Sequence, residues 1–275
     1  MANSEIQTVS HWLVFLCLLT IFTSGAFAGY LIVRFERPPQ ENEEEEEEQL
    51  HEEDGWKPSL RCIHPVCLLV IRFISFSLLL VLIIYYAIVN GGKVFNYYPI
   101  WTMVLNIVYF LIGFVLSVYG CKKHFRDAHF IGPRERPKVA GFWTFILQII
   151  FQMQAGAIVF TLTIFWAIEI RDLVRKESIM DPLKACVHSV NLVLVLIETA
   201  FNNLKTFPWF RISYFVLLTW TFTLYQWTIL FGPERLWWPY FFLDMASPYS
   251  PLWYLAVPLY EVPCYGVFVL LVNLK

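Results

Sequence analysis

Charge is scarce in this chain: charged residues make up 15% of its 275 residues, while 58% are hydrophobic. A soluble domain carries about 25% charged residues, so the chain has too little charge to cover a water-facing surface. Zinc-spaced cysteines are lacking too. The six cysteines, at 17, 62, 67, 121, 186 and 264, lie mostly in or beside apolar runs, so neither a metal site nor a disulfide framework is implied. No period-2 alternation appears, which excludes a membrane barrel and leaves the helix as spanning element. The spans show no internal repeat and no pair of Gly/Pro-broken helices, the usual marks of a transporter. No cofactor and no nucleic-acid partner is expected.

What is present is a set of long apolar runs. Seven are long enough to cross a bilayer: 12–33, 64–89, 100–119, 142–170, 185–201, 212–231 and 251–274. At 1.5 Å per residue the first covers about 33 Å, against a hydrocarbon core of roughly 30 Å. The run from 185 is the shortest and most polar. The first is longer than the core of a secretory signal and follows an acidic MANSEIQ, so it reads as a retained span. The expected fold class is all-α: a polytopic membrane helix bundle with a six-helix core (63–275) plus one N-terminal transmembrane helix (1–35).

Between them lies an acidic loop (36–62) containing six consecutive glutamates, Glu43 to Glu48. A run of like charge repels itself and buries no core, so the loop is expected to be solvated and disordered. A docking tail for a basic partner is the functional alternative to a solubilising linker.

Lysine and arginine set the expected orientation. Residues 121–138 carry six of them; with that loop in the cytoplasm, 13 lie on the cytoplasmic side against 6 on the other. Arg72, near the start of its run, is expected to snorkel to the cytoplasmic interface. The aromatics Trp237, Trp238, Tyr240, Trp253 and Tyr254 read as an interfacial belt around the last span.

The run from 185 carries the chemistry. At 100° per residue, His188, Asn191, Glu198 and Asn202 fall within about 80° of one another and form one polar stripe. Lipid does not tolerate such a face, so it meets other helices or a wet cavity. Glu198 sits about 15 Å along the axis from His188 and is no triad partner for it. Asn191, or Asp181 in the preceding loop, is the candidate to fix the imidazole tautomer. If Glu198 is a packing partner, glutamine should replace it with little loss, since an amide keeps most of its hydrogen bonds. Thr102, at the start of the third run, enters the membrane from the same side as His188. Taken alone it reads as a cap or a back-bonded hydroxyl; opposite a histidine at matching depth it is a candidate nucleophile. Asn106, one turn on, is a candidate donor to a developing oxyanion.

Four stretches carry a resemblance: YYPIWTMVLNIVYFLIGFVLSVYG, TIFWAIEI, HSVNLVLVLIE and WWPYFFLDMASPYSPLWYLAVPLYEVPCYG. Together, over roughly residues 63–275, the chain resembles the Rolling-stone-type membrane proteins, especially their plant members. More distantly it is similar to the androgen-induced family, multi-pass hydrolases of fatty acid esters of hydroxy fatty acids. That resemblance implies a catalytic threonine and histidine, at Thr102 and His188 here. Thr144, the competing match, opens its span on the opposite side from His188. The function implied is an integral membrane hydrolase of lipid esters, with a long-chain fatty acyl ester as substrate. The alternative is a non-enzymatic structural, adhesion or cell-fusion protein of Rolling-stone type, in which the stripe only holds helices in register. Endoplasmic reticulum and plasma membrane are equally compatible. The orientation is testable with engineered glycosylation acceptors, which should stay unmodified in the 121–138 loop.

Overall fold

A chain without water around its amides must close every N–H on its own carbonyls, and this one does so in seven long helices. In the computed structural model residues 11–36, 50–60, 63–127, 140–176, 182–204, 207–230, 238–245 and 247–275 are described, the backbone alone at 168–176 and 230. The helices are α1 (His11–Phe35), α2 (Pro65–Asn90), α3 (Tyr98–Asp127), α4 (Phe142–Lys176), α5 (Pro182–Phe201), α6 (Ile212–Leu230) and α7 (Ser250–Asn273). Among the described residues, six of them are long and apolar enough to cross a membrane, so the protein is an integral, multi-pass, all-α membrane protein. The exception is α6, not the run from 185. Ser213, Thr219, Thr223 and Gln226 of α6 are buried against neighbouring helices, which lowers its hydropathy without exposing those groups to lipid.

Helix α4 is central and packs on α3, α5, α6 and α7. On one side α2, α3 and α5 close a core around Leu79, Met103, Tyr109, Phe110, Phe151 and Val195. On the other, α1, α6 and α7 enclose Cys17, Phe160, Phe215, Phe222 and Cys264. The amino-terminal helix is therefore an integral part of the packing. Arg211 anchors it: Nη2 donates to Glu36 Oε1 at 2.8 Å and Nη1 to Gln148 Oε1 at 2.8 Å, tying the end of α1 to α4. Outward, Phe22 and Phe27 of α1, Val81 and Ile88 of α2 and Leu259 and Leu270 of α7 present an apolar face.

The sequence reading extends the solvated loop to residue 62, and here the structure differs. The glutamate run and residues 37–49 around it lie outside the described residues, but 50–60 are folded. Glu52–Gly55 form a 3-10 turn, started where the His51 amide donates to Asp54 Oδ2 at 2.8 Å. Trp56 follows, 3% exposed. Leu50 and Trp56 supply apolar area that the glutamates lack, enough to seat this segment on the end of the bundle. Residues 128–139 of the basic loop also lie outside the described residues.

Trp56 fits only because Gly120 of α3 has no side chain. A Cβ there would stand 2.1 Å from the indole, so Gly120→Ala should expel Trp56 and lower the midpoint of thermal unfolding in detergent, a loss of about 1–3 kcal/mol. Gly29→Ala, in open space on α1, is the control; it should be neutral or slightly stabilising.

Candidate functional site

The polar stripe of α5 divides between two environments. At one end Glu198 is fully buried, and its Oε1 accepts from Arg72 Nε at 2.9 Å, Arg72 Nη2 at 2.6 Å and the Tyr109 hydroxyl at 2.8 Å. The remaining Arg72 nitrogen, Nη1, donates to the Gly55 carbonyl at 2.7 Å, the Gly113 carbonyl at 3.1 Å and Ser117 Oγ at 2.7 Å. Arg72 therefore does not snorkel. Its side chain, 0% exposed, forms an ion pair across the bundle because a carboxylate on α5 stands at the same depth. Gly113 lets the guanidinium approach, since a Cβ there would come within 3.1 Å of Nε.

Asn202, at the end of α5, is equally buried and belongs to this packed end. Its Oδ1 and carbonyl accept from Lys275 Nζ, and it bridges to Pro58 of the folded segment. Thr144, the competing nucleophile, is buried against Gly55 here and plays no part with His188.

Moving along the stripe, Asn191 Oδ1 accepts from Asn106 Nδ2 at 3.1 Å. This bond fixes the depth of α3 against α5. One turn further, four residues before Asn106 and three before Asn191, come Thr102 and His188, so the two helices bring the expected pair to one level. No hydrogen bond joins them. The Thr102 hydroxyl is fully buried and donates to the Pro99 carbonyl at 2.8 Å, the back-bonded state of a threonine in a first helical turn. The His188 ring stacks on Phe165 with centroids 3.8 Å apart and planes 10° from parallel, and its Nδ1 has no partner among the described residues. Asn191 is therefore engaged by Asn106 rather than setting the tautomer, and Asp181 lies outside the described residues. One amide hydrogen of Asn106 is committed to the same bond, so it is a spacer between helices before it is an oxyanion donor.

His188 lines two adjoining spaces. The larger, about 400 Å³, has Asn90, Lys93, Asn96 and Gln226 in its wall. The smaller, about 130 Å³, is bounded by Phe160, Ile164, Phe165, Phe222 and Val257. Tyr97, Pro99, Lys184, His188 and Pro239 border both, while Thr102 borders neither. Burial pushes the Tyr97 phenol above its ordinary range, against the opposing influence of the nearby Lys184 ammonium. Tyr240, raised by burial as well, accepts from the Tyr98 amide at 3.1 Å and holds the 238–245 segment over the start of α3. The Lys184 ammonium stands 5.4 Å from the Phe165 ring.

Sequence reasoning turned His188 toward other helices or a wet cavity without deciding between them, and missed Lys184 and Tyr97 beside it. It also saw Glu198 and Arg72 separately; two opposite charges inside apolar runs were a sign that they pair. No family model matches the chain, no curated protein matches it in sequence, and no solved structure matches its fold.

The ion pair changes what Glu198 is expected to tolerate. Glutamine keeps hydrogen bonds but leaves the guanidinium without a counter-charge, so Glu198→Gln and Arg72→Met should each cost about 3–5 kcal/mol. The double variant Arg72→Met/Glu198→Leu should recover much of that loss. Unfolding in detergent, read as a double-mutant cycle, checks this.

Proposed function

We propose that this protein is an integral membrane hydrolase of lipid esters in which His188 is the general base. One observation carries the reading: the His188 imidazole borders both a polar chamber and an apolar cleft, its Nδ1 being buried and unpartnered among the described residues. An amphiphile seated with its head among Lys93, Asn96 and Lys184 and its chain along Phe160 and Ile164 carries its ester linkage at that junction. The proposed substrate is a membrane lipid bearing a long-chain fatty acyl ester.

In the reaction His188 takes a proton from the attacking hydroxyl, the oxygen bonds to the ester carbonyl carbon, and the bond to the alcohol oxygen breaks. The proton then passes from the imidazolium to the departing alkoxide. With Thr102 as nucleophile an acyl-threonine forms, which water releases in a second, equivalent step. For this the Thr102 hydroxyl must leave the Pro99 carbonyl. With water as nucleophile, the acid is released directly.

A second reading, a structural or adhesion protein, draws on the other stripe residues. Asn191, Glu198 and Asn202 are all bonded to neighbouring helices or segments, as a register device requires.

Release of fatty acid from a long-chain ester by the purified protein separates the readings. His188→Ala should lower turnover by a factor of about 100 or more. Thr102→Val keeps the shape and removes the hydroxyl: an equal loss, with loss of fluorophosphonate labelling, assigns Thr102 as nucleophile, and retained turnover assigns water. A wild-type protein that cleaves no ester, or one indifferent to His188→Ala, leaves the structural reading.

A further inference from the structure

A second buried carboxyl, Glu261 of α7, has no arginine. It is 0% exposed, and neither of its oxygens has a partner at hydrogen-bonding geometry among the described residues. It faces a small, partly open cavity of about 30 Å³ between α1, α6, α7 and the Phe241–Leu243 turn, bordered by Ser24, Thr219, Trp220, Thr223, Tyr254 and Glu261. That volume exceeds the roughly 10–15 Å³ that one water-sized guest needs.

The hydrogens around this cavity are largely committed elsewhere. Ser24 donates to the Ile21 carbonyl at 2.9 Å, Thr223 to the Thr219 carbonyl at 2.9 Å and Tyr254 to the Leu243 carbonyl at 2.9 Å. Their oxygens therefore present lone pairs. Thr219, a polar neighbour of the carboxyl, shares a 2.9 Å hydrogen bond with the Tyr98 hydroxyl, and the Trp220 indole N–H is buried without a partner. Pro258, inside α7 and on the cavity wall, brings no N–H, so the carbonyl of Tyr254 also loses its helical donor. Apart from that indole N–H, the space offers mainly acceptors. Among the described residues no Lys, Arg or His borders it. The titratable groups whose charge bears on Glu261 are Tyr98 from α3 and Cys264 from α7, with Tyr254 on the cavity wall; α1 and α6 contribute hydroxyls and the indole. None brings a positive charge to balance a carboxylate, and an unbalanced one inside hydrocarbon is prohibitively costly.

We infer that Glu261, with the hydroxyl oxygens of Ser24, Thr219 and Thr223, forms a site for one monovalent cation, a proton or a sodium ion. The site is independent of the hydrolase reading. It is also next to the proposed chain-binding cleft, whose wall shares Thr219, Thr223 and Leu243 with it, so occupancy is felt at that wall.

Dicyclohexylcarbodiimide tests the assignment, because it adds to a protonated carboxyl as a stable N-acylurea and not to a carboxylate holding a metal ion or an arginine. Purified protein is treated in sodium-free, mildly acidic buffer and the adduct located by peptide mass spectrometry. Glu261 should be modified, Glu198 should not, and Glu261→Gln should abolish the adduct at that position. Adding sodium chloride, against choline chloride at equal ionic strength, distinguishes the occupants: at least about fivefold slower labelling identifies sodium, and an unchanged rate identifies the proton. Where sodium protects, Thr223→Val should raise the concentration for half-protection about tenfold, the effect of losing one polar contact to a charged group. Absence of an adduct on Glu261 without sodium overturns the site, as does sodium protection that is indifferent to Thr223→Val.

Discussion

A guanidinium and a carboxylate, neither with any exposed surface, hold each other inside an apolar bundle, and one end of the molecule is arranged around them. Removing each ion from water costs several kcal/mol, which mutual attraction offsets only when the remaining donors are also satisfied. Arginine suits this better than lysine, because its planar fork distributes five donors over several elements at fixed angles. Arg72 of α2 reaches the carboxylate of α5, a carbonyl and a hydroxyl of α3, and the Gly55 carbonyl of the folded segment. That last bond gives residues 50–60 a reason to be ordered beyond the burial of Trp56. Close packing at Gly113 and Gly120 follows from the same demand, since α3 must leave room for the guanidinium and for the indole.

The opposite end is built differently. The Asn106–Asn191 bond sets the depth of α3 against α5, but beyond that rung side chains no longer fill the space. His188 is held by stacking on Phe165, and its Nδ1 is buried with no hydrogen-bond partner among the described residues. A locked end and an open end thus stand on the same pair of helices. Glu261 shows the same rule from the other direction: a buried carboxyl without an arginine among the described residues must be neutralised by a proton or balanced by a bound cation.

Much of the fold was legible in the chain because the relevant signals are local. The apolar run 12–33 became His11–Phe35, and 185–201 became Pro182–Phe201. The third run ended at 119, yet its helix continues to Asp127, since backbone bonding does not stop where the apolar residues do. The stripe of His188, Asn191, Glu198 and Asn202 also follows from the 100° period alone, and its inward orientation holds for Asn191, Glu198 and Asn202, all buried. The reading of the run from 185 as the most polar failed, with α6 falling below it, for a related reason: hydropathy counts a threonine the same whether it faces lipid or the bundle.

Helix positions, membrane character and the existence of a polar face were therefore determined by sequence alone, because length, hydropathy and helical period depend on neighbours within a few residues. Tertiary structure alone decided which polar groups meet. Arg72 finds Glu198 at a separation of 126 residues, a pairing set by the packing of α2 on α5. The same packing turned Thr102 toward Pro99, set His188 at a junction of two spaces, ordered Trp56 over Gly120 and left Glu261 without a hydrogen-bond partner among the described residues. Inside a membrane a buried polar group is as costly as its partners are poor, and those partners are chosen by helix packing across the chain.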